Sequence, residues 1–518
     1  MDTMTRRRRA GVLLHVSSLP GKLGIGDLGT EAFAFIDQLA KAKQSVWQIL
    51  PLGPTGYGDS PYQCYSAFAG NPLFVSPEKL IEDGLLPASV AKESRKFTTG
   101  AIDFEKVTPA RMNWLRTAFE AFQGKKQKKL TAVFDDFRDS EKRWLDEFAL
   151  FMALRDQWPD RSWVDWPEKL RSRDRRALTE ARKELADGIL FHQFVQFLFV
   201  RQWNELHDYA REHHIEVMGD APIFVSHESA DVWANQEQFD LKPDGRPLKI
   251  AGVPPDYFSK TGQRWGNPQY RWDRMEADGF KWWIQRMESS LKFVDLIRLD
   301  HFRGFEAYWE IPAEAPTAAT GKWIPGPREK LFKAMQKGLG ELPIIAEDLG
   351  VITAEVRKLR DDFGFPGMRV LQFGFGGDDD IHRPHYYVQN CVAYTGTHDN
   401  DTTVGWFNVE PGKTTTMSIK AVQAERRMVL DYLNTTPDDI HWGLIRGIHS
   451  SVADLAVVPV QDVLGLGSEA RMNTPGTSSG NWRWRLKPGQ LKSDAMSRLA
   501  AMTGLYDRSP DTPRPTGK

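Results

Sequence analysis

The chain has 518 residues, with 68 Lys and Arg against 69 Asp and Glu, so its net charge is −1. This balance excludes the strongly basic footprint that is typical of nucleic-acid-binding proteins. At ~150 residues per domain, the length predicts about three domains or one barrel enlarged by insertions. The two cysteines, Cys64 and Cys391, exclude a disulfide framework and favour a reducing compartment.

The N-terminal region does not match the pattern of a signal peptide. Basic residues at 6–9 are followed by a short apolar run at 12–14, which is far shorter than the apolar core of a signal peptide. No stretch approaches the ~18 uninterrupted apolar residues of a membrane span. We therefore expect a cytoplasmic protein that binds neither a membrane nor nucleic acid.

Short apolar runs predict β-strands, which in chain order are 11–16, 46–50, 215–219, 293–299, 344–346, 368–373, 392–394 and 456–460. Several of these runs are apolar and β-branched at consecutive positions, as expected when both faces of a parallel sheet are covered. Helical patterns lie between many of them, for example at 31–42 and 354–362. Strands that alternate with helices predict an α/β fold, a (β/α)8 TIM barrel.

The uneven spacing of these strands predicts insertions into the barrel. Residues 10–76 are expected to form the first part of the barrel and residues 77–203, rich in Lys, Glu, Arg and Leu, a mostly helical insertion. The remainder of the barrel would be 204–505, including an irregular loop subdomain at 224–290 over its C-terminal face. Residues 506–518 contain three prolines and are predicted to be a disordered tail.

A glycine-rich segment at 24–29 matches the G-x-G-x-x-G fingerprint of dinucleotide-binding proteins. It follows a predicted strand and precedes a helical pattern. However, the intervening turn, 17–23, is too long, and no acidic residue ends the next strand, where the ribose ligand belongs. We therefore interpret the segment as a structural turn.

Arg298 lies in the predicted strand at 293–299, and Asp300 directly follows that strand. Because the two residues are two positions apart, their side chains project from the same face. An arginine beside a carboxylate keeps that carboxylate ionised, as a nucleophile requires. A structural ion pair is the alternative. The position of Asp300 at the C-terminal end of a barrel strand favours a catalytic function.

The strand at 344–346 ends in two acids, Glu347 and Asp348, which would face opposite ways. A carboxyl group that leaves an apolar strand next to another carboxylate has a raised pKa, as a general acid requires. The pattern does not separate the two residues, and Asp348 could instead cap a helix.

Polar residues also end other predicted strands: His15, Asp220, His398, Asp399 and Asp462. A closed barrel would bring these distant positions together. Two carboxylates acting as a pair, with an auxiliary acid, are the equipment of glycosidic bond chemistry. A metal site is disfavoured, because His382 and His385 follow the acidic run 378–380 without strand-end geometry.

Aromatic residues favour the same chemistry. The chain has 18 Trp but 12 Tyr, and exposed rings can stack on sugar faces. Tyr257 and Trp265 lie in the predicted loop subdomain, and we interpret both as sugar contacts rather than as packing residues.

These segments resemble the amylomaltase family of 4-α-glucanotransferases, which are relatives of the α-amylases. The resemblance is most specific at 298–304 (Arg-Leu-Asp-His-Phe-Arg-Gly), 346–350 (Ala-Glu-Asp-Leu-Gly) and 396–402 (Gly-Thr-His-Asp-Asn-Asp-Thr). It also covers 17–21, 24–29, 58–63, 66–72, 219–220, 254–259, 473–476 and 481–482, and is weakest at 80–190.

The resemblance implies a retaining double displacement in which Asp300 is the nucleophile, Glu347 the general acid/base and Asp399 the third acid. It implies that glucan-binding residues are Ser60, Tyr62, Asp220, Asp256, Tyr257, Phe258, Trp265, Asn267, Arg298, His398 and Asn473. Maltodextrins, starch or glycogen would be donors and glucose or another glucan the acceptor, with no metal or cofactor.

Three alternatives remain at this point. An α-glucan hydrolase of the α-amylase type would share every catalytic residue and differ in water exclusion at the acceptor site. A non-catalytic glucan-binding protein would not need all three acids. A nicotinamide-dependent oxidoreductase rests on the match at 24–29 alone.

Overall fold

The structure is a computed structural model, and it describes residues 8–124, 128–255, 260–376, 380–412, 417–477, 479–491 and 493–510. Within these residues, eight parallel strands form one sheet: β1 (Arg9–Leu13), β2 (Val46–Gln48), β3 (Glu216–Pro222), β6 (Leu296–Asp300), β9 (Ile344–Ala346), β10 (Gly367–Val370), β11 (Cys391–Tyr394) and β12 (Leu455–Pro459). They coincide with the predicted strands to within a few residues. The predicted (β/α)8 barrel is therefore confirmed.

The barrel closes where its first strand pairs with its last and where β9 meets the next strand, β10. β1 lies between β2 and β12, with Arg9 in register with Leu455. β9 reaches β10 through a hydrogen bond of 2.9 Å from the Ala346 amide to the Pro366 carbonyl. All eight strands run in the same direction, so their C-terminal ends form one mouth of the barrel.

Alternation along each strand separates the barrel interior from the layer beneath the helices. On β12, Leu455 and Val457 belong to the interior cluster, whereas Ala456 and Val458 pack in the outer core. Side chains of a strand point alternately to its two faces, and both faces are buried here. The continuous apolar runs in the sequence follow from this double burial.

The helices surround the sheet or extend from it. Their bounds are α1 Thr30–Lys41, α2 Pro77–Glu82, α3 Phe104–Gly124, α4 Lys128–Gln157, α5 Glu168–Arg171, α6 Arg175–Glu184, α7 Ala186–Glu212, α8 Ala230–Ala234, α9 Trp272–Ala277, α10 Lys281–Phe293, α11 Arg328–Leu339, α12 Ala354–Asp362, α13 Thr403–Phe407, α14 Ile419–Leu433, α15 Ile440–Ser450, α16 Val460–Val463 and α17 Ser493–Leu505. Helices α2 to α7 lie between β2 and β3. The long helix α7 ends four residues before β3 begins, and so returns the chain to the barrel.

A second sheet, which we did not predict, lies within the described part of the chain. Its four antiparallel strands are β4 (Lys249–Val253), β5 (Gln263–Pro268), β7 (Ala307–Pro312) and β8 (Lys322–Pro325), in the order β5-β4-β7-β8. The expectation that 224–290 is an irregular loop subdomain is therefore wrong for β4 and β5. Glycine and proline interrupt their alternating pattern, and their partner β7 comes later in the chain, after β6.

The expectation of a disordered tail from residue 506 is wrong for its first residues. Arg508 is buried, and its guanidinium donates hydrogen bonds to the carbonyl oxygens of Arg9 at 2.9 Å and His449 at 2.8 Å. Residues 511–518 lie outside the described residues. None of the described helices has the length and apolar character needed to cross a bilayer.

Candidate active site

Polar side chains from three neighbouring barrel strands meet at the C-terminal mouth. Asp220 is on β3, Asp300 ends β6 and Glu347 follows β9, and these three strands are neighbours in the sheet. The register places Asp220 opposite Arg298 and Ala346 opposite Leu299. Residues far apart in the sequence are thus brought together by strand pairing alone.

Arg298 links two of these carboxylates. Its guanidinium lies 2.6 Å from Asp220 and 2.9 Å from Asp300. The side chains of Arg298 and Asp220 are 4% and 0% exposed, whereas that of Asp300 is 30% exposed. Burial alone would lower the pKa of Arg298, but the two carboxylates raise it well above its ordinary value. Asp300 is therefore the accessible end of a buried ion-pair network.

Two aromatic rings line the mouth beside this network. The Tyr62 hydroxyl donates a hydrogen bond of 2.9 Å to Asp220, and the Tyr62 ring stacks on the His398 ring at 5.2 Å. Trp482 packs beside both, with ring centroids 5.8 Å from Tyr62 and 6.0 Å from His398. We did not predict Trp482 as a site residue, although its segment, 481–482, is part of the family resemblance.

Glu347 is the buried acid of the group. One carboxylate oxygen accepts a hydrogen bond of 2.7 Å from the His301 amide, and the other accepts one of 2.9 Å from the Leu349 amide. Burial raises the pKa of Glu347 to about 8, with a further contribution from the charge of Asp300. A carboxylic acid that keeps its proton at neutral pH is the group that general acid catalysis requires.

The neighbouring acid, Asp348, serves the scaffold. It accepts a hydrogen bond of 2.7 Å from the Met368 amide on β10 and forms an ion pair with Arg360 of α12. The suggestion that Asp348 caps a helix is wrong, because Thr353 caps α12. Asp348 instead joins β10 and α12 to the segment that follows β9. The structure thereby separates the two acids, as their opposite directions on the strand predict.

Asp399 lies beyond the end of β11, on the opposite side of the mouth. Its carboxylate accepts a hydrogen bond of 2.7 Å from Asn473 and lies 3.4 Å from His398 Nε2. Arg471 donates to its backbone oxygen at 2.7 Å. The Asp399 side chain remains 46% exposed, so its carboxylate is oriented yet accessible to a ligand.

The other predicted glucan-binding residues have different positions. Trp265 on β5 packs edge-on against the ring of His301, with 4.9 Å between the ring centroids. His301 directly follows Asp300 in the sequence. Asn267 is buried and donates to the Val225 carbonyl at 2.9 Å. The Ser60 hydroxyl accepts from the Tyr62 amide at 3.2 Å. Asp256, Tyr257 and Phe258 lie outside the described residues.

Two further strand-end residues have structural contacts. His15 accepts a hydrogen bond of 3.3 Å from the Leu50 amide, and burial lowers its pKa to about 3. Asp462 accepts hydrogen bonds from the Thr395 hydroxyl at 2.6 Å and the Thr403 amide at 2.7 Å. Both residues are buried among their partners.

The geometry supports neither a dinucleotide site at 24–29 nor a metal site at His382. The glycine-rich segment at 24–29 is packed so tightly that a Cβ on Gly26 would lie 2.1 Å from the Val16 carbonyl oxygen. His382 is buried and accepts a hydrogen bond of 3.1 Å from the Val370 amide. Among the residues that the structure describes, no group of three His, Cys, Asp or Glu side chains is arranged to hold a metal ion.

Comparison with known proteins places this architecture in a family. The family model described as 4-alpha-glucanotransferase matches residues 14–492. The chain is 48% identical to the 4-alpha-glucanotransferase of Synechocystis sp., over 98% of this chain and 99% of that one. It is 50% identical to the Thermus thermophilus 4-alpha-glucanotransferase, over 97% and 99% of the two chains.

A solved structure agrees with these relatives. The amylomaltase from Streptococcus agalactiae, in complex with acarbose, superimposes with a TM-score of 0.92 at 38% identity, over 97% of this chain and all of that one. The residues that the family model matches, 14–492, include each of the strand-end residues described above. The chain belongs to the 4-alpha-glucanotransferase family.

Proposed function

We propose that the chain transfers α-1,4-glucan segments to the 4-hydroxyl of glucose or another glucan by a retaining double displacement. The observation that carries this proposal is the pairing of two unlike carboxyl groups at one mouth. Asp300 is in contact with a cation, whereas Glu347 is buried and has a pKa of about 8. A retaining mechanism needs one ionised and one protonated carboxyl group.

In the first step, Glu347 donates its proton to the glycosidic oxygen while an Asp300 oxygen attacks the anomeric carbon. The bond between that carbon and the glycosidic oxygen breaks, and the reducing-end fragment leaves as an alcohol. The product is a glucan esterified to Asp300, and Glu347 is left as a carboxylate.

In the second step, Glu347 takes the proton from the 4-hydroxyl of the acceptor, whose oxygen attacks the anomeric carbon. The ester bond breaks, Asp300 is released as a carboxylate and Glu347 is protonated again. Two inversions retain the α-configuration. A long donor can cyclise by using its own non-reducing end as the acceptor.

The remaining polar groups would bind the donor sugar. Asp399, oriented by Asn473, is positioned to accept hydrogen bonds from sugar hydroxyls. The stacked rings of Tyr62 and His398 offer an apolar surface beside Asp220. Because the amylomaltase from Streptococcus agalactiae has been solved with acarbose, acarbose is the ligand to test for competition at this site.

Incubation with maltotriose tests the activity. Transfer produces glucose together with a ladder of longer maltodextrins, whereas hydrolysis produces glucose and maltose alone. Chromatography of the products distinguishes these outcomes, and the Asp300→Asn protein is the blank. A product mixture without chains longer than maltotriose would contradict the proposal in favour of an α-glucan hydrolase.

Cytoplasmic localisation is also part of this proposal. Cys64 and Cys391 are both free thiols, which suits a reducing compartment. Fractionation of the native cells with an antibody against the chain tests it. Recovery of the protein in a membrane or secreted fraction would contradict it.

A further inference from the structure

The segment that follows Asp300 is tied to the segment that carries Glu347 by three consecutive residues. The His301 amide donates to the Glu347 carboxylate at 2.7 Å, and the Phe302 amide donates to the Glu347 carbonyl at 3.1 Å. The Arg303 guanidinium donates to the carbonyl of Val351. These bonds continue the pairing of β6 with β9 beyond the last residues of the two strands.

Arg303 supplies the one side-chain donor of this set. The residue is 7% exposed, and the acidic neighbour that acts on its charge, Glu306, forms its ion pair with Arg328 instead. Burial lowers its pKa, and its Nε has no hydrogen-bond partner. A cation held in such a costly position needs a compensating contact. Its hydrogen-bonded contact is the Val351 carbonyl, four residues after Glu347.

The indole of Trp323 stacks on the guanidinium that makes this contact. The guanidinium carbon of Arg303 lies 3.7 Å from the centroid of the Trp323 ring, which in turn packs edge-on against Trp309 at 5.1 Å. Both indoles belong to the hairpin of β7 and β8, and the Gly326 amide anchors its end to the Glu306 carbonyl at 2.7 Å. A guanidinium that lies over an indole gains a cation–π attraction, which helps to hold Arg303 in place.

The Glu347 segment needs such a tether because it leaves the barrel at this point. The chain turns at Gly350, which has a positive φ of 83°, and Val351 is 67% exposed. We propose that Arg303 is a positioning residue that holds Glu347 where it can protonate the glycosidic oxygen while Asp300 attacks the anomeric carbon. This inference rests on the proposed function, because it assigns Arg303 to the acid/base step of that reaction.

Two glycosyl-donor substrates distinguish a loss of Glu347 positioning from general structural damage to the site. Maltotriose needs a proton from Glu347 to release its leaving group, whereas α-maltotriosyl fluoride releases fluoride without one. We expect Arg303→Met to lower kcat/KM for maltotriose by about 10- to 100-fold, a part of what general acid catalysis contributes. The rate of the first fluoride turnover should fall by less than about threefold, and Arg303→Lys should recover part of the loss.

Arg357→Met is the matched control. Arg357 donates to the Ile352 carbonyl at 3.0 Å, so this variant removes an arginine from the same segment without cutting its link to Asp300. It should leave both rates unchanged. If Arg303→Met does not fold, Trp323→Leu keeps the charge, removes the ring that packs on the guanidinium and should give the same selective loss with a smaller magnitude.

Equal losses on the two donors, or no loss on maltotriose, would overturn the positioning role. The result is read against Glu347→Gln, which must also spare the first fluoride turnover. If Glu347→Gln also loses the first turnover of the fluoride, or if the unmodified enzyme makes no maltodextrin ladder, the proposed function itself fails. If those two proteins behave as proposed and Arg303→Met does not, the inference about Arg303 alone fails.

Discussion

The guanidinium of Arg298 contacts Asp300 from the side of the barrel interior, at 2.9 Å, and leaves the rest of that carboxylate open to the mouth. The same guanidinium also binds Asp220, a fully buried carboxylate. One cation thus balances a structural charge and a candidate nucleophile. Its removal should affect folding and chemistry together.

We expect Arg298→Met to lower kcat by more than about 100-fold and the free energy of unfolding by about 3 kcal/mol, because it leaves Asp220 buried without its cation. Chemical denaturation and the disproportionation assay measure the two effects. Arg498→Met is the control, since Arg498 pairs with Asp439 at 2.6 Å on the surface and should contribute less than about 1 kcal/mol. Comparable losses in the two variants would contradict the buried-pair argument.

Asp300→Asn should abolish turnover, because the amide is a poor nucleophile. Glu347→Gln should accumulate a glycosyl-enzyme from an activated donor, because the first step no longer needs the acid while the second still needs the base. Mass spectrometry of proteolytic peptides locates the adduct. An adduct on any residue other than Asp300 would refute the assignment.

Asp348→Asn is the matched control for Glu347→Gln. Asp348 binds the Met368 amide and Arg360 and does not face the mouth, so its replacement should leave the rate per folded molecule unchanged. The melting temperature should fall instead, since Arg360 loses its buried carboxylate partner and keeps only the exposed one, Asp361. A loss of kcat without a loss of stability would contradict this division of roles.

The pKa of about 8 for Glu347 predicts a decline of kcat/KM as the pH rises through that value, because the first step needs the protonated acid. It also predicts a stability effect. Between the ordinary value of 4.5 and about 8, the folded protein holds a proton that the unfolded chain does not, so this group destabilises the fold as the pH rises.

Glu347→Gln removes that titration. Its stability relative to the unmodified enzyme should therefore grow from pH 5 to pH 8 and then level off. Thermal unfolding at a series of pH values measures the difference. A difference that is independent of pH would show that Glu347 ionises in the folded protein as it does in the unfolded chain.

Asn473→Ala should lower kcat/KM by about 10- to 100-fold, because Asp399 loses the hydrogen bond of 2.7 Å that orients its carboxylate. Stability should change little, since this part of the site is partly open to solvent. Asn390→Ala is the control, because Asn390 donates to the Gly364 carbonyl at 3.1 Å at the opposite end of the barrel. Initial rates that match in the two variants would exclude an orienting function for Asn473.

Much of this architecture could be predicted because the barrel signals are local. A strand buried on both faces is an apolar run, and its polar C-terminal neighbour marks the mouth, as at Asp300 and Glu347. The strand pattern alone did not separate Glu347 from Asp348; the family resemblance favoured Glu347. In the structure their partners, the His301 amide and Arg360, come from different elements.

The antiparallel sheet was not predicted because its signals are not local. β4 pairs with β7 although β6 lies between them in the sequence, and neither strand shows a strong alternating pattern. The contact between Arg303 and Val351 also depends on this sheet, because Trp323 on β8 stacks on the Arg303 guanidinium. Such contacts are defined by tertiary packing and have no signature in a short stretch of sequence.

The pairing of β1 with β12 has a consequence for biosynthesis. The first barrel strand to leave the ribosome must wait for the last one, while every strand that carries a candidate catalytic group emerges in between. Pairing over such a long stretch of chain is slow, and an unpaired strand edge invites association with other chains. A nascent chain that stalls before residue 455 therefore carries Asp300, Glu347 and Asp399 on an open sheet, exposed to aggregation before it can be an enzyme.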